Sequence, residues 1–424
     1  MNKKKRVVML GAGAQGTTVV RNLEKEANVG EIIVGDYDIK AAEKLANSVS
    51  KGSAVQVNAG DVDSIRNAVR GADLMVVALP LDYGRNLFAA ALEEKVNYMD
   101  FAAMEDLDPD WVKCVEIMLT EYNEKFKAID RLAVIGCGSA PGVICAASRR
   151  AVRPLDSCET IYNIVWEGVE AKRFQPFWWS PVTALADFRG EPSKGYGGAY
   201  AVENGKLITT RNFTREIYRQ YDYMPKQVRF FEHLHDEPVQ MSFHLDSHFK
   251  GAKNVYFKYG GVGATFAEPL YQAGMLRDEP IEINGKEISP FDLVMKFIPA
   301  APKTPEEIKT IIDEGIKADD GCMCVEAYGM KDGKKVCSEV HVMAPGIVES
   351  YERAGMSGEQ YLTGNGGYLF SKMFVEDVYD QKGLISSDAL TDSEVDYYFQ
   401  EAAKIGITLD CRLREVDEFP VDKE

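Results

Sequence analysis

The stretch Arg6-Val7-Val8-Met9-Leu10-Gly11-Ala12-Gly13-Ala14-Gln15-Gly16 joins an apolar run to a segment of helical spacing that continues to residue 27. A glycine pattern in that position, between a strand and a helix, carries a physical meaning that short glycine patterns elsewhere lack. Gly11 permits a tight turn, Gly13 lets the backbone approach a pyrophosphate, and Gly16 lets the helix pack close to the sheet. The first amides of the helix, at Ala14 and Gln15, then face the anion. About twenty residues further on, a second strand (31–35) ends at Asp36, where a carboxylate accepts bonds from a ribose 2′-hydroxyl. A 2′-phosphate is repelled there and no arginine follows directly. The expected cofactor is NAD, with NADP as the alternative.

The pattern continues outward from this loop. Helical spacing covers 39–50, 62–69, 84–94 and 109–127, and short apolar strands cover 54–57, 74–78, 98–100 and 133–135. Continuous apolar strands alternating with helices mark a parallel sheet covered on both faces. Ligands of such sheets sit at the carboxyl ends of the strands. Those ends are Asp61 with Val62, then Ala78-Leu79-Pro80, then Asp100. Asp61 has two readings, a contact to the adenine edge or the cap of the helix that starts at 62.

After Pro141 the character changes. Strands become longer and more polar, as in 159–165 and 239–243, and aromatic residues are dense between Phe174 and Phe257. Segments 324–330 and 335–342 read as a hairpin turning at Asp332-Gly333. Helical spacing returns at 358–378 and 391–404, and the acidic end from Glu415 reads as a frayed tail. The expected fold class is α/β: a Rossmann parallel sheet, then an α+β domain on a mixed or antiparallel sheet, with C-terminal helices returning to the first domain. The expected boundaries are 1–141 plus about 358–410 for the dinucleotide domain, and 142–357 for a substrate and dimerisation domain.

Composition narrows the functional classes. The 424 residues carry 49 basic and 66 acidic side chains, a net charge of −17 that disfavours nucleic acid as a partner. No run reaches the roughly 18 apolar residues of a membrane span. The basic start Met1–Arg6 is followed by too short an apolar run for a signal peptide and reads as a lead-in to the first strand. The eight cysteines are scattered, and Cys322-Met323-Cys324 lacks the spacing of a zinc knuckle. Reduced thiols in a cytoplasmic protein are the expectation. No metal site is expected either, because His244 and His248 fall in a stretch read as a strand.

Taken in order, Gly11–Gly16, Ala78-Leu79-Pro80 with Asn86, Asp100-Phe101 and Gly136-Cys137-Gly138-Ser139-Ala140-Pro141-Gly142 resemble the saccharopine dehydrogenase superfamily. Trp179-Ser180-Pro181, Glu203-Asn204-Gly205-Lys206, His235-Asp236-Glu237-Pro238 and Ser289-Pro290 are similar to substrate-domain segments of bacterial saccharopine reductases and carboxynorspermidine dehydrogenases. Cys137-Gly138 with Pro141-Gly142 also resembles lysine 6-dehydrogenases. The resemblance implies an NAD(P)-dependent oxidoreductase that makes or breaks the C–N bond of an amino-acid-derived amine. A cofactor-binding regulatory protein without catalysis is the alternative from another class.

On that reading the catalytic candidates are Asp100, His235, Glu237 and Cys137. The imine chemistry needs an acid–base group near neutrality and carboxylates that favour an iminium. The cofactor-binding candidates are Gly11, Gly13, Ala14, Gln15, Gly16, Asp36, Asp61, Val62, Ala78, Leu79, Pro80 and Asn86. Trp179 is expected to wall the substrate, and Arg215 and Arg229 to bind its carboxylates. The substrate is expected to be a small amine or amino acid, and the exposed strand edges point to a homodimer.

Overall fold

The computed structural model describes residues 4–190 and 198–420. The lead-in Met1–Lys3 and the last four residues of the acidic tail lie outside the described residues. The chain divides into two compact units, Met1–Arg149 with Gln360–Ile407, and Arg150–Glu359 with Thr408–Glu424.

Unit 1 begins with strand β1 (Lys5–Leu10), helix α1 (Ala14–Leu23), β2 (Val29–Asp36), α2 (Ile39–Ala46), β3 (Gly52–Gln56), α3 (Val62–Val69), β4 (Leu74–Val77), α4 (Gly84–Glu94) and β5 (Asn97–Asp100), and β6 follows at Leu132–Ile135. A late strand, Gly383–Ser386, pairs in parallel with β6. The seven-stranded sheet runs late strand, β6, β5, β4, β1, β2, β3, and every pairing is parallel. Strand order therefore reverses between β1 and β4, the switch point at which such sheets bind ligands. Val7, Val8, Met9 and Leu10 are essentially unexposed. Burying each such side chain contributes about 1.5–3 kcal/mol, which is why the strand reads as an unbroken apolar run. Asp38 caps α2 by accepting from the Lys40 amide, and Asp61 caps α3 by accepting from the Asp63 amide. The start of α1, at Gly13, has no side-chain cap.

Unit 2 is built on a nine-stranded mixed sheet. Its central strand β7 (Ser157–Glu167) pairs in parallel with Asn254–Gly261 and antiparallel with Gly321–Lys331. The hairpin Gly321–Lys331/Lys334–Met343 forms with the expected turn at Asp332-Gly333, and Thr408–Glu415 adds the strand beyond it. Successive side chains alternate across the sheet. Tyr162, Ile164 and Trp166 of β7 enter one aromatic core with Tyr221, Phe230, Tyr256 and Tyr328. Asn163, Val165 and Glu167 point to the other face.

Three expectations are corrected. Residues 239–243, read as a strand, belong to a helix at Glu237–Ser242. Pro238 sits in its first turn, where a missing N–H does no harm. Glu237 through Met241 are all buried, so no exposed position reveals the helical period. His244 and His248 lie on the helical turn that follows rather than on a strand, with rings 5.3 Å apart. The first unit, expected to run to about 410, ends at Ile407, and Thr408–Glu415 is a strand of unit 2.

A Cβ on Gly16 would stand 1.9 Å from the Gly11 carbonyl oxygen, whereas one on Gly13 would meet nothing within 4 Å. Gly16→Ala is expected to lower stability by about 1–3 kcal/mol. Gly13→Ala should stay within about 0.5 kcal/mol of wild type. Urea unfolding midpoints check the pair, and equal losses at the two positions would contradict this packing.

Candidate functional site

In unit 1 the glycine turn is held by the sheet itself. Gly11 has φ +105°, a conformation open to glycine, and its amide donates to the Gly35 carbonyl at 2.8 Å. Asp36 takes the Ala12 amide on Oδ2 at 2.8 Å and the Asp38 amide on Oδ1 at 2.9 Å. The carboxylate is thereby fixed at the end of β2, next to the loop. The uncapped amides at the start of α1 and the open space over Gly13 fit a pyrophosphate. The Ala78 amide, just past β4, donates to the Leu10 carbonyl at 2.8 Å, so Ala78, Leu79 and Pro80 follow directly on the end of β1. Asn86 on α4 donates to the Ala59 carbonyl at 2.9 Å, near Asp61 and Val62 at the start of α3.

The two catalytic candidates of unit 1 have other work. Asp100 is completely buried and accepts from Tyr98 Oη at 2.8 Å and from the Gly136 amide at 2.9 Å. It ties β5 to the turn after β6. Cys137 is also fully buried, and burial followed by the Asp100 charge pushes its thiol well above the ordinary range. A thiol so held is no nucleophile.

In unit 2, His235 and Glu237 do come together. His235 Nδ1 lies 2.5 Å from Glu237 Oε2, and its ring stacks on Phe257 with centroids 3.9 Å apart. Burial works against the imidazolium, but the charge and hydrogen bond of Glu237 outweigh it and push His235 up to about 9. Glu167, at the end of β7, accepts from Tyr259 Oη at 2.6 Å. Trp179 also hydrogen-bonds Glu167, and the His235 charge acts on it. Burial still raises the Glu167 carboxyl above its usual range. Glu359 is pushed up to about 8, first by burial and then by the Glu167 charge. His233, buried and held neutral by burial, stacks on Tyr259 at 4.9 Å.

Arg215 and Arg229 are already spent. Arg215 pairs with Glu203 and stands 3.5 Å from Glu232, while Arg229 pairs with Glu268 at 2.6 Å and lies 3.6 Å from Glu216. Sequence reasoning missed Glu167, Tyr259 and Glu359. The available signal was Glu167-Gly168 beside Tyr259-Gly260-Gly261, two strand ends marked by glycine. Among the described residues, no group of three or more His, Cys, Asp or Glu is arranged to hold a metal, and no helix is long and apolar enough to cross a membrane.

Residues 7–134 match the family model described as the saccharopine dehydrogenase NADP binding domain. Carboxyaminopropylagmatine dehydrogenase of Synechocystis sp. is 22% identical over 408 residues, covering 91% of this chain and 92% of that protein. Among solved structures, apo saccharopine dehydrogenase (L-Glu forming) from Saccharomyces cerevisiae has a TM-score of 0.68 at 14% identity, over 97% of this chain and all of the other. Homospermidine synthase from Legionella pneumophila, solved with NAD, has a TM-score of 0.65 at 13% identity, over 99% of this chain and 93% of the other. The two structural likenesses establish the α/β fold with its mixed-sheet second unit. Residues 7–134 thus carry a segment similar to the saccharopine dehydrogenase NADP binding domain, and the chain as a whole keeps the fold of the solved saccharopine dehydrogenase.

Proposed function

We propose that this protein oxidises or reduces the CH–NH or CH–NH2 bond of an amine derived from an amino acid. The observation that carries the reading is the acidic group of unit 2, in which Glu237 bonds the His235 imidazole, the His235 charge acts on Glu167, and the Glu167 charge acts in turn on Glu359. An amine or iminium is positive, and carboxylates withdrawn from water favour it strongly. Saccharopine-type secondary amines are the first candidates. Lysine and carboxylated polyamines follow, in keeping with relatives named for saccharopine, homospermidine and carboxyaminopropylagmatine.

The loop Gly11, Gly13, Ala14, Gln15, Gly16 would hold the pyrophosphate, with Asp36 receiving the ribose hydroxyls. A 2′-phosphate would meet the Asp36 carboxylate, which favours NAD over NADP. The bound nicotinamide supplies or accepts the hydride. His235 gives and retakes the proton, with Glu237 fixing its ring and its charge. Trp179, bonded to Glu167, would form part of the substrate wall. We further propose a homodimer through the largely exposed edge strand Thr408–Glu415. A reducing, cytoplasmic setting would suit eight free thiols, seven of them buried.

Mixing the protein with NADH, glutamate or a diamine, and a semialdehyde is expected to oxidise the dinucleotide. No turnover with any glutamate, lysine or diamine pair would sink the reading. Gly13→Ala should fold normally yet bind NAD about tenfold more weakly or worse, by filling the space of the pyrophosphate. His235 has a folded value near 9 against an ordinary 6.5, so its stabilisation is complete below about 6.5 and is lost as pH rises through 9. The stability gap between wild type and His235→Asn should reach up to about 3 kcal/mol at the acid end of that window and close toward its alkaline end. A gap that widens with pH, read from urea midpoints, contradicts the charged pair.

A further inference from the structure

The nine-stranded sheet of unit 2 ends on Thr408–Glu415, and among the described residues no strand pairs with its outer edge. The other end of the sheet, Lys206–Thr210, is shorter and opens with an exposed lysine, a charge that keeps further strands away. Thr408–Glu415 has eight residues, none of them lysine or proline, and its Leu413 is 48% exposed. The chain that follows does not shield it. The Val416 amide donates to the Lys335 carbonyl at 3.0 Å, and Val416 and Phe419 pack on the aromatic core, so the tail turns inward over one face of the sheet. An open row of backbone donors and acceptors of this length is a template for another strand.

Side chains alternate along this strand. Leu409, Cys411 and Leu413 share one face. Asp410, Arg412 and Arg414 share the other, where Arg412 meets Asp410 at 2.6 Å and Asp222 at 3.0 Å, and Arg414 meets Glu339 at 2.7 Å. A second copy of the strand, laid antiparallel about a two-fold axis normal to the sheet, sets residues of one face opposite residues of the same face. The axis must then pass through a single residue, and the charges choose which. Centred on Asp410, two aspartates oppose each other; centred on Arg412, two arginines do; centred on Leu413, Arg412 opposes Arg414. Centres nearer either end leave most of the strand unpaired. Centred on Cys411, Asp410 of each copy opposes Arg412 of the other, and Leu409 opposes Leu413. Opposite charges and apolar pairs so placed contribute about 0.2–1 kcal/mol each, whereas like charges directly opposite destabilise.

We propose that the occupant of this edge is a second copy of this chain, paired antiparallel through Thr408–Glu415 with the two-fold axis at Cys411, so that the two Cys411 thiols face each other across it. The proposal rests on the homodimer reading given above and fixes which residues meet. The partner is selected by self-complementarity: the same eight residues present a leucine to a leucine and a carboxylate to a guanidinium in one register alone.

Cross-linking of the full chain with a short bis-maleimide tests it. Cys411 is exposed and the other seven cysteines are buried, so the reagent reports on that position. Directly opposed residues hold their Cβ atoms about 4.5–5.5 Å apart. Wild type should therefore run as a covalent dimer on a denaturing gel, and Cys411→Ser should not. In the Cys411→Ser background, co-expressed Leu409→Cys and Leu413→Cys chains should link to each other, while either variant alone, its thiols about 13 Å apart along the strands, should link at least fivefold less. Asp410→Arg sets arginine against arginine twice and should weaken dimerisation about tenfold, read by light scattering on dilution. A dimer in light scattering whose Cys411 thiols do not link overturns this register and leaves the homodimer reading standing. So does Leu409→Cys linking to itself as readily as to Leu413→Cys, or an undiminished dimer in Asp410→Arg. A monomer mass for wild type removes the homodimer reading itself, and the register with it.

Discussion

Charge taken out of water has to be answered inside the fold, and unit 2 is organised around that demand. Lys258 has no exposed surface, lies 3.7 Å from Glu232 and donates to the Arg215 carbonyl at 2.8 Å. Arg215 sits at φ +50°, a left-handed conformation that is costly for a side-chain-bearing residue and that the surrounding pairs maintain. Glu326 is bonded by Arg219, Tyr221 and Tyr328 together. Removing one member of such a set leaves its partner uncompensated, at about 3–5 kcal/mol. These arginines are structural for that reason and are not free to receive a substrate carboxylate.

The two units therefore contribute different things. Unit 1 supplies shape: a backbone turn fixed by Gly11 and Gly16, an open space over Gly13, and a carboxylate at Asp36 oriented by two amides. Two of its titratable interior groups, Asp100 and Cys137, are closed off. Unit 2 supplies charge. The ends of β7 and of its neighbour Asn254–Gly261 bring a carboxylate and a phenol together, and the segment after Val228–Glu232 adds the imidazole. The amine chemistry proposed above draws on both kinds of contribution.

The sequence showed one of these kinds far more clearly than the other. Parallel strands buried on both faces leave unbroken apolar runs, and the glycine loop obeys steric rules local to a few residues, so unit 1 was legible as far as β6, while the short late strand Gly383–Ser386 was not. The hairpin at Asp332-Gly333 was legible for the same local reason. The helix 237–242 was not, because five consecutive buried residues erase the contrast on which periodicity depends. Within the site, His235 and Glu237 are two residues apart and were found together. Glu167, Tyr259 and Glu359 are brought together only by strand pairing and tertiary packing across nearly two hundred residues, and no short motif announces them. Arg215 and Arg229 were misleading because an arginine carries no local sign of whether its partner is internal.

The division of the chain bears on how it can be made. It passes from one unit to the other at 149/150, returns at 359/360 and leaves again at 407/408. The late strand Gly383–Ser386 completes the sheet of unit 1 only after all the intervening residues of unit 2 exist, and Thr408–Glu415 extends the sheet of unit 2 later still. During synthesis from the N-terminus, β6 and the strand Lys334–Met343 each wait with an unpaired edge until their last neighbours emerge from the ribosome. Each sheet thus closes only after its late strand has been made, and the edges of β6 and of Lys334–Met343 stay unpaired until then.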